Sequence, residues 1–157
     1  MPVSSNRIIT HLIKSQLFSE NNFGLAEALS IHDIPIVFGT LENRKLAAAV
    51  TNQSGETVII INQSEINNVT TEYLADRILH ELVHALTVPA ISNPVTEAQN
   101  KFAKANHKLF SMLDKIVSKT DRYDVYSGSY VMQNEKEFAA VFATDENARS
   151  FVYNKAR

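Results

Sequence analysis

The 157-residue sequence contains no cysteine. This absence excludes disulfide bonds, iron–sulfur clusters, thiol catalysis and structural zinc sites that depend on thiolate ligands. Glycine and proline are also scarce, with four of each, and they are scattered rather than grouped into a linker. Together with an ordinary hydrophobic content of 45%, this distribution predicts one folded domain over residues 1–157.

The sequence also lacks long apolar runs and an excess of one charge. Its longest apolar stretches fall far short of the roughly 20 residues that cross a bilayer. Residues 1–7 lack the charged segment, apolar run and cleavage site of a secretory signal. Fifteen basic and 17 acidic residues give a formal net charge of −2, which does not favour nucleic-acid binding. We therefore expect a cytoplasmic protein that binds neither membranes nor nucleic acids.

Short apolar runs predict strands in the first half of the chain, and helical periodicity dominates the second half. The runs are rich in β-branched residues and cover residues 34–38, 46–51 and 57–62, with hairpin-turn composition at 51–56. Helices are predicted at residues 7–19, 23–31, 70–87, 95–118 and 134–153, the last with a break near Asp145–Asn147. The expected fold class is α+β, with a small mixed sheet of about three strands packed against helices.

Residues with catalytic chemistry are concentrated in the segment His80-Glu81-Leu82-Val83-His84. Residues four positions apart lie on one face of a helix, so His80 and His84 can bind one tetrahedral Zn²⁺. Glu81 lies about 100° further round the helix, where it is badly placed as a ligand but can reach a metal-bound water. The spacing therefore predicts His80 and His84 as metal ligands and Glu81 as the general base.

The residues around this motif support a helix with two distinct faces. A helical wheel places His80 and His84 opposite an apolar stripe that includes Leu79 and Leu82. Thr70–Thr71 are suited to cap the N-terminus of this helix. The alternative hypothesis is a surface helix that carries two unrelated histidines, or a pair of histidines four positions apart that binds no metal.

A catalytic zinc site needs a third protein ligand and one open position for water. His107 is the only histidine downstream, but on its helix it falls about 140° from the apolar stripe, which favours solvent exposure. Glu137 enters an apolar helix, where a buried carboxylate is costly unless a charge such as a metal ion pairs with it. Glu135 stands two positions earlier, and either glutamate would also suit a helix N-terminus without a metal. Composition alone does not choose between them.

Two segments of the chain, Glu72–Thr87 and Asn134–Ala140, together resemble the gluzincin metallopeptidases. More narrowly, they resemble short metallopeptidase domains of bacteriophages and mobile elements, in which a glutamate on a later helix completes an HExxH site. The resemblance implies that Glu137, followed by Phe138-Ala139, is the third ligand. It also implies a zincin-like fold, a Zn²⁺ cofactor and an endopeptidase that hydrolyses a protein or peptide substrate with Glu81 as general base.

The resemblance also implies roles for two parts of the chain outside the ligand set. The oxyanion formed during peptide hydrolysis needs a hydrogen-bond donor besides the metal. Tyr126 or Tyr130 can supply a phenol hydroxyl from the loop before the Glu137 helix. Zincins pair an extended substrate with an edge strand, and Thr57–Asn62, directly before the metal helix, is the expected strand.

Two positions depart from the family pattern. Ala140 stands where many of the short domains have a glutamate, and Val141 stands where larger gluzincins have a carboxylate that holds a histidine ligand. Support for the histidines is then expected from Asp76, Asp145 or a backbone carbonyl. Val141 favours an alternative hypothesis, a zincin-fold binding or anti-defence module with weak or no proteolytic activity. A repressor-cleaving peptidase of mobile elements fits less well, because 52 residues separate the histidine motif from the last ligand.

Overall fold

The computed structural model describes residues 2–116 and 134–156 of the chain. Within them the predicted α+β class is confirmed, with six α-helices and a four-stranded mixed sheet. In chain order the elements are β1 Val3–Ser4, α1 Ser5–Lys14, α2 Glu20–Leu29, β2 Pro35–Gly39, β3 Ala47–Thr51, β4 Thr57–Asn62, α3 Thr71–Ser92, α4 Glu97–Ile116, α5 Glu135–Thr144 and α6 Glu146–Ala156. None of the described helices combines the length and the apolar character that a membrane span requires.

The chain divides into two units, Met1–Ala85 and Leu86–Arg157, with the boundary inside α3. The first unit contains the whole sheet and the motif of the two histidines, and the second contains α4, α5 and α6. That the 157 residues form one domain stays a prediction.

The sheet has the strand order β1-β2-β4-β3, in which β2 and β4 are parallel and the outer pairs are antiparallel. Residues Thr57–Asn62 therefore form an internal strand, so the prediction that they are the edge strand is wrong. Ile59 shows the reason, since it pairs with Ile36 on one side and Ala49 on the other and is fully buried. An unbroken apolar run is typical of a strand whose two faces are both covered, and such strands lie inside a sheet more often than at its edge. Among the described residues, the edges of the sheet are β1 and β3.

The fourth strand, β1, was missed by the prediction of about three strands. Val3 pairs with Ile36, and immediately afterwards the Ser5 N–H donates to the Ile34 carbonyl at 2.9 Å. The Ser5 hydroxyl accepts from the Ile34 N–H at 2.8 Å, which fixes the start of α1 against β2. Two residues are too few to show an alternating pattern, so the sequence carries no signal for this strand.

The turn between β3 and β4 follows the prediction for residues 51–56. The Asn52 N–H donates to the Glu56 carbonyl at 2.9 Å, and the Gly55 N–H donates to the Asn52 carbonyl at 3.1 Å. Gly55 has a φ of 86°, which glycine adopts without the steric cost that a side chain would add.

Helix α3 begins as predicted and ends later than predicted. The Thr70 hydroxyl accepts from the Tyr73 N–H at 3.1 Å, as expected of an N-cap. The helix continues through Pro89 to Ser92, whereas the sequence predicted its end near residue 87. Proline normally breaks a helix because it lacks an N–H, which explains the early predicted end.

The second unit is a set of helices around its own apolar cluster. The break predicted near Asp145–Asn147 is confirmed, because Asp145 separates α5 from α6. The Arg149 guanidinium donates to the carbonyls of Phe142 and Ala143, both at 3.0 Å, at the end of α5. The buried members of the cluster are Leu113, Phe138, Val141, Ala148, Phe151 and Val152.

Candidate metal centre

The three motif residues lie in the buried part of α3. His80, Glu81 and His84 are 6%, 4% and 8% exposed, and every residue from 78 to 85 is buried. The helix is therefore buried all round at this level, rather than divided into an apolar and an open face. The alternative of a surface helix is therefore wrong, whereas the alternative of a histidine pair that binds no metal stays open. Buried polar side chains of this kind need partners or a charge to offset the loss of water.

The two histidines lie side by side, as their spacing predicted. Their ring centroids are 4.7 Å apart and the ring planes meet at 79°. One helical turn separates the two residues, so both imidazoles project from the same side of α3.

His80, His84 and Glu137 form the single group of three potential metal ligands found among residues 2–116 and 134–156. The imidazole nitrogens and the carboxylate oxygen all lie within 4.8 Å of one another. Ligand atoms about 2.1 Å from a zinc ion are about 3.4 Å apart in a tetrahedral arrangement. The donors are close enough together for the group to be able to hold a metal ion. The identity of the ion stays a prediction.

Glu137 owes its place to the way α5 begins. Asn134 is the N-cap, and its side-chain carbonyl accepts from the Glu137 N–H at 2.8 Å. This hydrogen bond uses the backbone N–H of Glu137 and stabilises the first turn of the helix. The next residue, Phe138, is only 2% exposed and belongs to the apolar cluster of the second unit. The Asn134 cap and the buried Phe138 together hold Glu137 in place.

Glu135 and His107 pair with each other, and neither belongs to the ligand group. The Glu135 carboxylate contacts Nδ1 of His107, whose side chain is 70% exposed. The Asn106 side chain donates to the Glu135 carbonyl at 3.1 Å, which ties α4 to the start of α5. The expectation that His107 faces solvent is confirmed. Of the two glutamates that composition left open, Glu137 belongs to the group of potential ligands and Glu135 does not.

The Glu81 carboxylate has two partners that the sequence analysis missed. Its Oε1 accepts from the Ala49 N–H on β3 at 3.2 Å, and its Oε2 lies 3.5 Å from Arg77 Nη2. The spacing of Arg77 and Glu81, four positions apart on a helix, is a signal that could have revealed the ion pair. The contact with Ala49 joins β3 to α3, which are far apart in sequence, so no short-range pattern could have revealed it.

The other predicted site residues have the following places. Asp76 accepts from the buried side chain of Asn22 at 3.3 Å. Asp145 caps α6, since its Oδ1 accepts the N–H groups of residues 147 and 148 at 2.8 and 3.2 Å. Tyr126 and Tyr130, the expected oxyanion donors, lie outside the described residues.

Comparison with family models, with curated proteins and with solved structures finds no match to this chain. The residues themselves therefore carry the functional argument. The chain has an α+β fold and a His80–His84–Glu137 group that can hold a metal ion.

Proposed function

We propose that this protein is a zinc-dependent endopeptidase with a zincin-like fold. The observation that carries the proposal is the His80–His84–Glu137 group, with Glu81 directly after the first ligand on the same helix. Three protein ligands leave one coordination position open, which is the pattern of catalytic rather than structural zinc sites. The likeness of both motif segments to short bacteriophage and mobile-element metallopeptidases supports the same function.

The donor set favours zinc over the harder divalent cations. Two imidazole nitrogens and one carboxylate oxygen suit Zn²⁺, whereas Mg²⁺ and Ca²⁺ prefer oxygen ligands throughout. When bound, zinc would supply an activated water and polarise the scissile carbonyl.

Glu81 is the general base in this proposal. Its carboxylate accepts a proton from the attacking water and returns it to the departing amine. The burial of Glu81, whose side chain is 6% exposed, limits the access of bulk water to the carboxylate. The oxyanion donors Tyr126 and Tyr130 remain part of the proposal.

The substrate proposed here is an extended segment of a protein or peptide. Strand β3 replaces Thr57–Asn62 as the strand for substrate pairing, because β3 lies at an edge of the described sheet. Its alternate backbone groups point away from β4, and apart from the Ala49 N–H, which Glu81 accepts, we propose that they pair with an added strand. Glu81, the proposed general base, accepts the N–H of Ala49 on this strand, which supports the choice of β3.

Metal binding is tested by measuring zinc stoichiometry in purified protein. We expect about one zinc per chain in the native protein and in Glu81→Gln, and a loss of affinity in His84→Ala and Glu137→Gln. The loss of zinc affinity should be larger than about 10–100-fold, the effect typical of removing a residue that hydrogen-bonds to a metal ligand. His107→Ala and Glu135→Gln are matched controls, since they change the same residue types outside the group. Equal losses in the controls and the ligand variants would contradict the assignment.

Peptidase activity is tested separately with a broad peptide library. We expect cleavage by the zinc-loaded protein, and a fall of at least about 100-fold in Glu81→Gln, the lower limit for removal of a general base. A protein that binds one zinc and cleaves no peptide would support the alternative, a binding or anti-defence module. Val141 favours that alternative, because a buried apolar residue stands where larger gluzincins have a carboxylate.

A further inference from the structure

The carboxylate of Glu81 is buried, and each of its two oxygens contacts another residue. An unpaired carboxylate in this environment would be strongly disfavoured, because burial removes its water. Ala49 donates an N–H to Oε1, and Arg77 places its guanidinium beside Oε2. The contact at Oε1 is a hydrogen bond of 3.2 Å, whereas the contact at Oε2 is an ion pair of 3.5 Å without hydrogen-bond geometry, so Arg77 acts on Oε2 through its charge.

The N–H of Ala49 is available to Glu81 because of the register of the hairpin. In the β3–β4 pair, the Asn62 N–H donates to the Leu46 carbonyl and the Asn52 N–H donates to the Glu56 carbonyl. Backbone groups alternate along an antiparallel strand, so residues 46, 48, 50 and 52 face β4. The N–H of Ala49 therefore points away from β4, towards the outer edge of the sheet, where Glu81 accepts it.

Arg77 reaches Glu81 along the surface of α3. The two residues are four positions apart, one helical turn. The side chain of Arg77 is 36% exposed, whereas that of Glu81 is 6% exposed. Arg77 is therefore open to solvent on one side and contacts the buried carboxylate on the other.

We propose that Arg77 is a positioning residue that holds the Glu81 carboxylate against the free edge of β3. The guanidinium restrains Oε2 while the Ala49 N–H restrains Oε1, so the carboxylate keeps one orientation relative to the strand. Loss of the guanidinium leaves Oε1 as the single restrained atom and lets the carboxylate rotate. This inference rests on the proposed function for its catalytic meaning, but the restraint itself is a property of the protein without substrate.

The restraint is tested by hydrogen exchange of the Ala49 amide, measured by NMR in zinc-loaded protein. We expect slow exchange in the native protein and exchange at least about tenfold faster in Arg77→Met, which removes the charge at similar length. Arg77→Lys should restore part of the protection, since it keeps the charge but lacks the planar fork. Arg7→Met, an exposed arginine of α1, is the control. Arg77→Gln replaces the methionine variant if that variant does not fold.

Kinetics on a cleaved peptide provide the second readout. We expect Arg77→Met to lower kcat between about tenfold and 100-fold, as small misplacements of a catalytic group do, with KM and zinc stoichiometry close to native values. Unchanged Ala49 exchange in both Arg77→Met and Arg77→Gln would overturn the proposal. If the native protein cleaves no peptide, the peptidase proposal fails, while the amide exchange still decides whether Arg77 restrains Glu81.

Discussion

Glu135 and Glu137 are two positions apart at the start of α5, and their side chains have different neighbours. Glu135 pairs with the exposed His107, whereas Glu137 joins His80 and His84. The sequence predicted the two histidines because their spacing alone places them on one face of a helix. It did not choose between the glutamates, because the choice depends on where α4 brings His107. The prediction of Glu137 as the third ligand came from the resemblance to known metallopeptidases.

The anchor next to Glu137 is testable at the level of one side chain. Phe138 is 2% exposed, and its ring centroid lies 5.8 Å from those of Phe110 and Phe142. Phe138→Ala should lower the free energy of unfolding by about 3–5 kcal/mol, because it removes buried surface and leaves a cavity. Phe102→Ala, at a position 38% exposed, is the matched control and should cost much less. Urea denaturation measures both, and equal losses would contradict the position of Phe138 in the core.

The positions of the helices and of strands β2, β3 and β4 followed from the sequence, whereas strand β1 and some helix ends did not. Helix α1 ends at Lys14, although the pattern predicted helix to residue 19. Gln16 adopts a φ of 57°, and its N–H donates to the Ile13 carbonyl, so the chain leaves the helix there. A glycine would have predicted this end, but glutamine rarely adopts a left-handed conformation. Periodicity finds helices reliably and is weak where a residue departs from its usual conformation.

The cap of α5 gives a prediction at the level of one helix. Asn134→Ala removes the acceptor of the Glu137 N–H and should cost about 1 kcal/mol of stability. Because that N–H belongs to a proposed ligand, the variant should also bind zinc more weakly than the native protein. Asn134→Asp keeps an acceptor oxygen and should retain both properties. Thermal unfolding and a zinc titration measure the two effects, and a native-like alanine variant would show that the cap does not hold Glu137 in place.

At the scale of the whole chain, the sequence predicted the fold class and left the order of the strands open. The resemblance to zincins, together with chain order, suggested that the run before α3 was the edge strand. The structure instead inserts β4 between β2 and β3, which gives the edge to Ala47–Thr51. Strand order is set by contacts between segments that are distant in sequence. The apolar pattern of one strand indicates how deeply that strand is buried, but it does not indicate which strands lie beside it.

Zinc binding should be visible in the stability of the whole molecule. A ligand that binds the folded state alone, at about 100 times its Kd, adds about 2.7 kcal/mol. For a chain of this length each kcal/mol corresponds to about 2–4 °C in Tm, so saturating zinc should raise Tm by about 5–10 °C. Glu81→Gln should show the same rise, and His84→Ala should show little. Differential scanning calorimetry with and without a chelator makes the measurement, and an equal rise in His84→Ala would point to zinc bound elsewhere.

The register of the sheet has a consequence for how the first unit folds. Val50 and Val58 pair across a short turn, eight positions apart, whereas Val3 pairs with Ile36, 33 positions away. The entropy lost on closing a loop grows with its length, so the β3–β4 hairpin is expected to form early and β1 to join late. Val58→Ala should then slow folding, and Val3→Ala should mainly accelerate unfolding. Stopped-flow kinetics of the two variants would measure this order. If it holds, the strand edge beside Glu81 is among the first structures that the chain acquires.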